Sequence, residues 1–326
     1  MAAIARVSPK TVSRVINRDA NVSPATKARV EAAILETGYV VNLAARSLAA
    51  SRSYLIGMFM PNMSSHYCAE IFRGAARACR QHGFHLVVEE YDFGAATVVD
   101  RYEYGLRSTR CEALLLIPPV CDDMPLLEAL DRDGVRYVCI SPGRHDDRTT
   151  AIFADDSQGV ASLARHLWNR GCRRFGLIAG PSSHASAAIR ETAFTDTLKG
   201  LGAGPDDITM ARPDWNGTIA EVGRKAALSL LSGPQARPDA IFAFNDEAAI
   251  GAITCARDLG LNIPGDVAIA GFDDSYMAQL VWPQLTTVHQ PIAEIAIKAI
   301  QVIAEEQPAE HRRIYMPTHL VVRDSA

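Results

Sequence analysis

Long hydrophobic runs are missing from this sequence. Leu55 to Met60 and Ala113 to Ile117 are typical of its apolar stretches, far short of the roughly 18 residues a membrane-spanning helix needs. A secretory leader is missing too: Met1-Ala2-Ala3-Ile4-Ala5-Arg6 has neither the basic start nor the roughly 7 to 15 apolar residues of a signal peptide, so the expected location is the cytoplasm. The cysteines, Cys68, Cys79, Cys111, Cys121, Cys139, Cys172 and Cys255, are odd in number and never spaced Cys-x-x-Cys, which argues for reduced structural thiols. Low-complexity tracts are absent, which removes disorder as a general reading.

The signatures of catalysis are missing as well. There is no Walker phosphate loop, no Gly-x-Ser-x-Gly and no His-Glu-x-x-His. Gly200-x-Gly202-x-Gly204 has the wrong spacing for a dinucleotide site and follows a helical pattern rather than a strand. The adjacent acids Asp155-Asp156 and Asp273-Asp274 come with no candidate nucleophile or metal cluster. The expectation is a protein that is not an enzyme and uses no cofactor or metal.

What is present is a soluble, globular composition, 48% apolar and 21% charged over 326 residues, long enough for two or three domains. The net charge of −4 hides an asymmetry. Through Arg52 the chain has eight basic residues against three acidic ones, a net +5, which leaves −9 for the remainder. A basic head on an acidic body suits an anionic polymer bound at one end; solvated surface charge is the alternative.

Two segments of the head share one opening, Ser8-Pro9-Lys10-Thr11 and Ser23-Pro24-Ala25-Thr26. Each offers a serine N-cap with proline at the first helical position. In the first helix Val12, Val15 and Ile16 fall on one face, while Lys10, Arg14 and Asn17 follow i, i+4, i+7 on the other. The second carries Val30, Ala33 and Ile34 inward and ends at Gly38. With a short helix from Ala2 to Arg6, this fits a helix-turn-helix whose middle helix enters the major groove; a plain three-helix bundle also fits. The next stretch, Asn42-Leu43-Ala44-Ala45-Arg46-Ser47-Leu48-Ala49, is an alanine-rich helix too short to be stable without a partner or DNA.

These segments, Val7-Ser8-Pro9-Lys10-Thr11-Val12-Ser13-Arg14-Val15-Ile16-Asn17, Val22-Ser23, Gly38-Tyr39 and Asn42-x-x-Ala45-Arg46-x-Leu48, resemble the LacI/GalR family of bacterial transcriptional repressors. The resemblance implies a double-stranded operator DNA partner. By it, Pro9, Lys10 and Arg14 approach base edges, Ser8, Thr11, Ser13 and Asn21 position phosphates, and Asn42, Ala45 and Leu48 belong to a hinge helix that inserts the leucine into a minor-groove step. Lysine and arginine can donate to guanine O6 and N7; unstacking by leucine is offset by contacts of the bent DNA. The chain departs from the family in a first helix shorter by about a turn, in Arg6 where the family has glycine, and in Val41 in place of a usual proline.

Beyond Arg52 the pattern alternates: strands at Leu55 to Met60, Leu86 to Val88, Ala113 to Ile117, Val135 to Ile140, Phe175 to Ile178, Ala240 to Phe244 and Val267 to Ala270; helices at Ala69 to Gly83, Pro125 to Gly134, Ser157 to Gly171, Ala187 to Gly200 and Glu247 to Gly260. This is the rhythm of an α/β protein with two tandem parallel-sheet domains. Ligands in such sheets bind beyond the carboxyl ends of strands, which singles out Asn62, Ser141, Asn245-Asp246 and Asp273-Asp274.

The family resemblance covers this body as well, through Ile56-Gly57, Asp155 with Gly159, His166-Leu167, Gly171, Ala179-Gly180-Pro181, Asn245-Asp246, Ile263-Pro264 with Asp266-Val267, Gly271-Phe272-Asp273-Asp274 and Leu285-Thr286-Thr287. It implies a body similar to periplasmic sugar-binding proteins and a sugar or sugar derivative as effector. Asp273 then accepts from vicinal hydroxyls beside Arg190 and Asn245, and Trp215 and Phe153 offer flat apolar surfaces. Ser65-His66-Tyr67-Cys68 replaces the usual Asn-Pro-Phe-Phe run, placing His66 and Tyr67 on the other wall with Ser141. Simpler readings stand beside these: helix caps or turns for Asn245 and Asp273, core for Phe153, a surface arginine for Arg190, a structural histidine for His66.

The expected domains are a head at 1–41, a hinge at 42–52, and an effector-binding and dimerisation body at 53–326, with subdomain N at about 53–153 and 286–312 and subdomain C at about 154–285 and 313–326. No heptad tail follows Leu320-Val321-Val322, so a homodimer reading a pseudo-palindrome is expected.

Overall fold

The computed structural model describes residues 1–16, 21–39, 47–48, 50–61, 65–91, 97–143, 148–233, 236–305 and 312–326. The chain divides into two compact units, Met1–Ser53 and Tyr54–Ala326.

Among its described residues the first unit has the helices α1 (Ala2–Ala5), α2 (Pro9–Ile16) and α3 (Pro24–Thr37). The serine caps form as the sequence requires: Ser8 Oγ accepts from Thr11 N at 3.1 Å, and Ser23 Oγ from Thr26 N at 3.4 Å. Ala5, Val12, Val15, Val30 and Ala33 make the core. Helix α1 is a single turn, and it ends at Arg6 in the left-handed region, φ 52°. That is the conformation glycine adopts without steric cost, so the arginine strains the one turn that covers this small core. Gly38 closes α3 at φ 60°.

Among its described residues the second unit has two parallel sheets and a two-stranded antiparallel one. The first runs β11-β5-β4-β3-β1-β2, all neighbours parallel. Its strands are β1 (Leu55–Met60), β2 (His85–Glu90), β3 (Ala113–Leu116), β4 (Arg136–Ile140), β5 (Ala151–Ala154) and β11 (Arg313–Met316). One face packs on α4 (His66–His82) and α11 (Ile292–Ala304); the other on α5 (Met124–Asp133) and an irregular helix, 98–109, with a π-helical turn at Tyr102–Leu106.

The second sheet runs β7-β6-β8-β9, again parallel: β6 (Phe175–Ile178), β7 (Ile208–Ala211), β8 (Ala240–Ala243) and β9 (Ala268–Ala270). Helices α6 (Asp156–Asn169) and α7 (Ala185–Gly200) cover one face, and α8 (Ile219–Leu231) and α9 (Asp246–Asp258) the other. A short helix α10 (Tyr276–Leu280) follows β9. An antiparallel pair, β10 (Thr287–His289) with β12 (His319–Val321), completes this half.

The helices and strands expected in the body are present with ends shifted by at most three residues, and β5, β7, β10, β11, β12, α8, α10, α11 and the irregular helix 98–109 add to them. Two boundaries differ. The sequence pattern assigns 313–326 to the second subdomain, but β11 pairs with β5 in the first sheet, and only the chain from β12 onward packs with the second; it assigns 286–312 to the first, but β10 pairs with β12 in the second half. The chain therefore crosses between halves three times, after β5, after β10 and after β11. Two crossings are tied together: Asp155 N donates to Met316 O at 2.8 Å, and Thr318 Oγ1 to Asp155 O at 2.6 Å.

Helices α8 and α9 meet at glycines. A Cβ on Gly251 would lie 2.0 Å from the Ala220 carbonyl oxygen, and one on Gly223 2.4 Å from that of Ala248. Backbone is a neighbour that cannot yield cheaply. Gly251→Ala is expected to destabilise the body by about 1–3 kcal/mol, read as a lower urea midpoint at unchanged slope. Gly200→Ala, where nothing stands within 4 Å, should be neutral or mildly stabilising.

Candidate DNA face and ligand cleft

Helix α2 splits as its sequence pattern demands. Val12 and Val15 are buried, while Ser8, Pro9, Lys10, Ser13 and Arg14 are exposed and Thr11 is half-buried. Asn21, in the turn before α3, is exposed as well. Lys10 and Arg14, one helical turn apart, share the outer face. Leu48 is 85% exposed, an apolar side chain in water with no core of its own. Asn17, Asn42 and Ala45 lie outside the described residues, as does Asn62 in the body.

In the body, polar side chains gather where parallel strands end. At the centre is Arg190 from α7, a buried guanidinium. Its Nε donates to Asp156 Oδ1 at 3.1 Å and its Nη1 to the Phe244 carbonyl at 2.8 Å. Nη1 also stands 4.0 Å from Asp273 Oδ1, and the group lies over the Phe272 ring at 3.6 Å. One arginine thus links the start of α6, the end of β8 and the turn after β9. The surface-arginine reading is excluded by its burial.

Asp273 has φ 124° and Asp274 φ 58°. Non-glycine residues held in such conformations cost of order 1–3 kcal/mol each and tend to mark binding sites. Gln290 Nε2 donates to Asp273 Oδ1 at 2.6 Å. Burial, outweighing the nearby Arg190, raises the Asp273 carboxyl well above its usual range. Asp156 is raised by burial too. Next to them Asp246 accepts from Thr287 Oγ1 at 2.6 Å and Ser275 N at 2.7 Å, and burial pushes it up to about 6. Gly271 permits this: a Cβ there would sit 2.4 Å from Asp246 Oδ1.

Asn245 caps α9, its Oδ1 accepting from Ala248 N at 2.9 Å. The cap reading is therefore correct for Oδ1, and the side-chain amide nitrogen is what Asn245 has left to offer. Trp215, in the loop after β7, packs edge-on against Phe244 with centroids 4.7 Å apart; its Nε1 is buried with no hydrogen-bond partner among the described residues.

On the opposite wall His66 and Tyr67 begin α4 just beyond β1, and Ser141 follows β4 with φ 46°. Burial raises the Tyr67 phenol and lowers the His66 imidazole, the latter against the pull of Glu70 and of Glu247 on α9. The walls approach closely at Gly143, where a Cβ would stand 2.9 Å from Ala185 Cβ. Phe153 is placed differently: it stacks on Tyr315 of β11, centroids 5.1 Å apart, and packs into the core on the α5 face. Sequence reasoning missed Asp156 as a partner of the central arginine, Gln290 as a partner of Asp273, and His184, half-buried at the start of α7. A buried polar residue at a strand's end was the available signal.

A helix-turn-helix head joined to a body of two parallel sheets with a cleft at their carboxyl edges defines a class, DNA-binding regulators with a periplasmic-binding-protein-like body. Comparison with known proteins agrees. Residues 1–42 match the model for bacterial regulatory proteins of the lacI family, and 164–326 that for a periplasmic binding protein-like domain. The chain is 32% identical over 334 residues to the ribose operon repressor of Escherichia coli strain K12, covering 100% of this chain and 98% of the relative. It superposes on a transcriptional regulator CelR–cellobiose complex with TM-score 0.74 at 29% identity, over 100% and 98% of the two chains. A lac repressor dimer bound to operator and the anti-inducer ONPF gives TM-score 0.77 at 26% identity, over 99% and 97%. The chain belongs to the lacI family and is a DNA-binding transcriptional regulator. No helix among the described residues is long and apolar enough to cross a membrane.

Asp274 joins the site to the chain's end and to a crossing strand, pairing with His289 Nδ1 at 3.0 Å and with Arg323. The hydrogen bond to Asp274 raises the His289 imidazole, and the bond from His289, then that from Arg323, lowers the Asp274 carboxyl. The histidine's contribution is complete below its unfolded value and lost as pH rises through the raised folded one; the aspartate's is lost as pH falls through its depressed one. His289→Gln should therefore lower the melting temperature of the body at pH 6 more than at pH 8.5. Equal losses at both would show that the charge on the imidazole is not involved.

Proposed function

We propose that the protein is a repressor that binds a pseudo-palindromic operator as a homodimer in the cytoplasm, under allosteric control by a small sugar-like effector, without catalysis and without a cofactor. The observation that carries this reading is the pairing, in one chain, of an exposed Lys10–Arg14 helix face with a cleft whose polar groups converge on Arg190 and Asp273. Residues 1–41 act as the head and 42–52 as the hinge. Ser8, Thr11, Ser13 and Asn21 hold phosphates; Pro9, Lys10 and Arg14 reach base edges. Leu48, exposed here, is buried between base pairs on the operator, with Asn42 and Ala45 on the same hinge helix.

The effector sits between His66, Tyr67 and Ser141 on one wall and Arg190, Trp215, Asn245 and Asp273 on the other; Phe153, packed on Tyr315, is not part of it. The sugar class is supported by the relatives, a ribose operon repressor and a CelR–cellobiose complex. Closing on both walls changes the relative rotation of the two halves, and DNA affinity with it. Such coupling is typically about 1–3 kcal/mol and is reciprocal. The dimer has an apolar patch available: Tyr276, Met277, Leu280 and Trp282, 50 to 71% exposed and close in sequence, suit a second copy of this chain.

The reading is tested by selecting bound operators from a pseudo-palindromic library at two salt concentrations, with and without sugars. Salt-sensitive enrichment that a sugar relieves or strengthens supports it; no enrichment under any condition rejects it. Leu48→Ala should weaken specific binding by roughly tenfold or more while leaving non-specific binding nearly unchanged. Asp273→Ala should abolish the sugar response and spare operator binding. Tyr276→Asp should give a monomer by sedimentation and weaken operator binding with it.

A further inference from the structure

Away from the cleft, at the opposite edge of the first sheet, lies a cavity of about 490 Å³. It is bounded by the residues that lead into β3 and β4 and by the C-terminal half of the irregular helix 98–109. Its size falls within the roughly 300–1,000 Å³ of small-molecule sites. Leu106 and Leu114, each 1% exposed, form an apolar floor with Val135. Beneath that floor β1 carries no side chain: a Cβ on Gly57 would stand 3.3 Å from Leu106 Cδ1 and from Cys111 Sγ, and 3.4 Å from Leu114 Cγ. The backbone beside the cavity is irregular. A π-helical turn delivers Tyr102 and Leu106 to its wall, and such turns are frequent at functional sites; Arg110 then ends the helix at φ 52°.

The rim offers donors, while its carboxylates are already engaged. Asp133 accepts from the Tyr102 phenol at 2.9 Å, from Arg107 Nε at 2.9 Å and from Arg132 Nε at 3.2 Å. Glu112 Oε1 accepts from Tyr54 N at 2.8 Å. A guanidinium carries five N–H donors. Among the described residues Arg107 gives Asp133 its Nε and Nη2, which leaves the two N–H groups of Nη1, and Arg110, exposed at the rim, brings a second guanidinium. Two guanidiniums three residues apart at the end of one helix suit a shared carboxylate or phosphate. The leucine floor suits an apolar body attached to it.

We propose that this cavity is a second ligand site, for a small organic anion with a carboxylate or phosphate head on a compact apolar body, held by Arg107 and Arg110, and that its occupant acts on the start of β1. The link is Glu112. Its side chain holds Tyr54 N, and its own N donates to the Leu55 carbonyl at 2.8 Å, so one lining residue grips the chain at the two residues where the body begins. Tyr54 stands at φ 58°, a left-handed conformation that is an outlier for a bulky residue and persists where its surroundings over-determine it. His85 N fixes its carbonyl at 2.8 Å. The proposed hinge, 42–52, lies just before this point in the chain. A ligand seated against Glu112 alters the bonds that hold Tyr54 in place, and through them the segment leading to DNA. The site stands apart from the sugar cleft and holds whether or not the effector there is a sugar.

The experiment is calorimetric titration of the full-length protein with benzoate, isovalerate and phenyl phosphate, each against its uncharged counterpart, benzamide, isovaleramide and phenol, and with inorganic phosphate alone. At least one anion should bind about tenfold more tightly than its counterpart and than phosphate. Arg110→Asn removes the guanidinium and supplies a residue that tolerates left-handed backbone; it should weaken that binding by about tenfold with the melting temperature unchanged or raised. The bound anion should slow alkylation of Cys111 by iodoacetamide about fivefold, read by mass spectrometry of its peptide, and leave Cys172, also half-buried, unaffected. It should change operator affinity about threefold or more in the wild type and not in Arg110→Asn. No binding by any of the three anions, or binding that Arg110→Asn leaves intact, overturns the site. Equal binding by the uncharged counterpart or by phosphate alone overturns the ligand class, and binding without a change in operator affinity overturns the link to β1.

Discussion

The body is organised around one buried cation. Arg190 reaches three elements far apart in sequence, through Asp156, the Phe244 carbonyl and Asp273, and its guanidinium covers Phe272. The planar fork of arginine suits this; a lysine ammonium could not offer separate donors in fixed directions. Burying it is expensive unless each donor is matched, and the surrounding carboxylates pay part of their own desolvation by raised protonation ranges. The cleft is thus preorganised before any ligand arrives.

That arrangement depends on backbone held in unfavourable conformations. Asp273 and Asp274 both have positive φ, and the strain is sustained by hydrogen bonds on either side, Gln290 to one and Arg323 with His289 to the other. Gln290 lies on the chain that crosses from β10 into α11 and so belongs to the connection between the two halves. A ligand that engages Asp273 acts on the group bonded to that crossing. Gly159 lets the crossings come close: a Cβ there would lie 2.5 Å from both Thr318 Oγ1 and Val288 Cγ1.

The head is a separate small unit with little core to spare. Among its described residues, five buried apolar side chains hold helices α1, α2 and α3 together, and the one-turn α1 supplies one of these, Ala5. Arg6 in a left-handed conformation adds strain where a glycine would add none. Small domains bury a smaller share of their surface than large ones, so strain at Arg6 weighs on a core with little to offset it.

The sequence alone determined what local chemistry determines. Proline and serine marked the starts of α2 and α3, glycine the end of α3, and period-2 and period-3.6 patterns the alternation of the body, because caps, turns and amphipathic faces are written in neighbouring residues. Motifs such as Gly271-Phe272-Asp273-Asp274 placed the family and half of the candidate cleft. What only the tertiary structure decided are long-range matters. These are the crossing of β11 into the first sheet, the packing of Phe153 on Tyr315, the burial of Arg190, and the partners Asp156 and Gln290. Each pairs residues roughly 20 to 160 positions apart, and no local pattern records which distant charge a buried arginine will meet. The electrostatic balance of the cleft followed from that meeting.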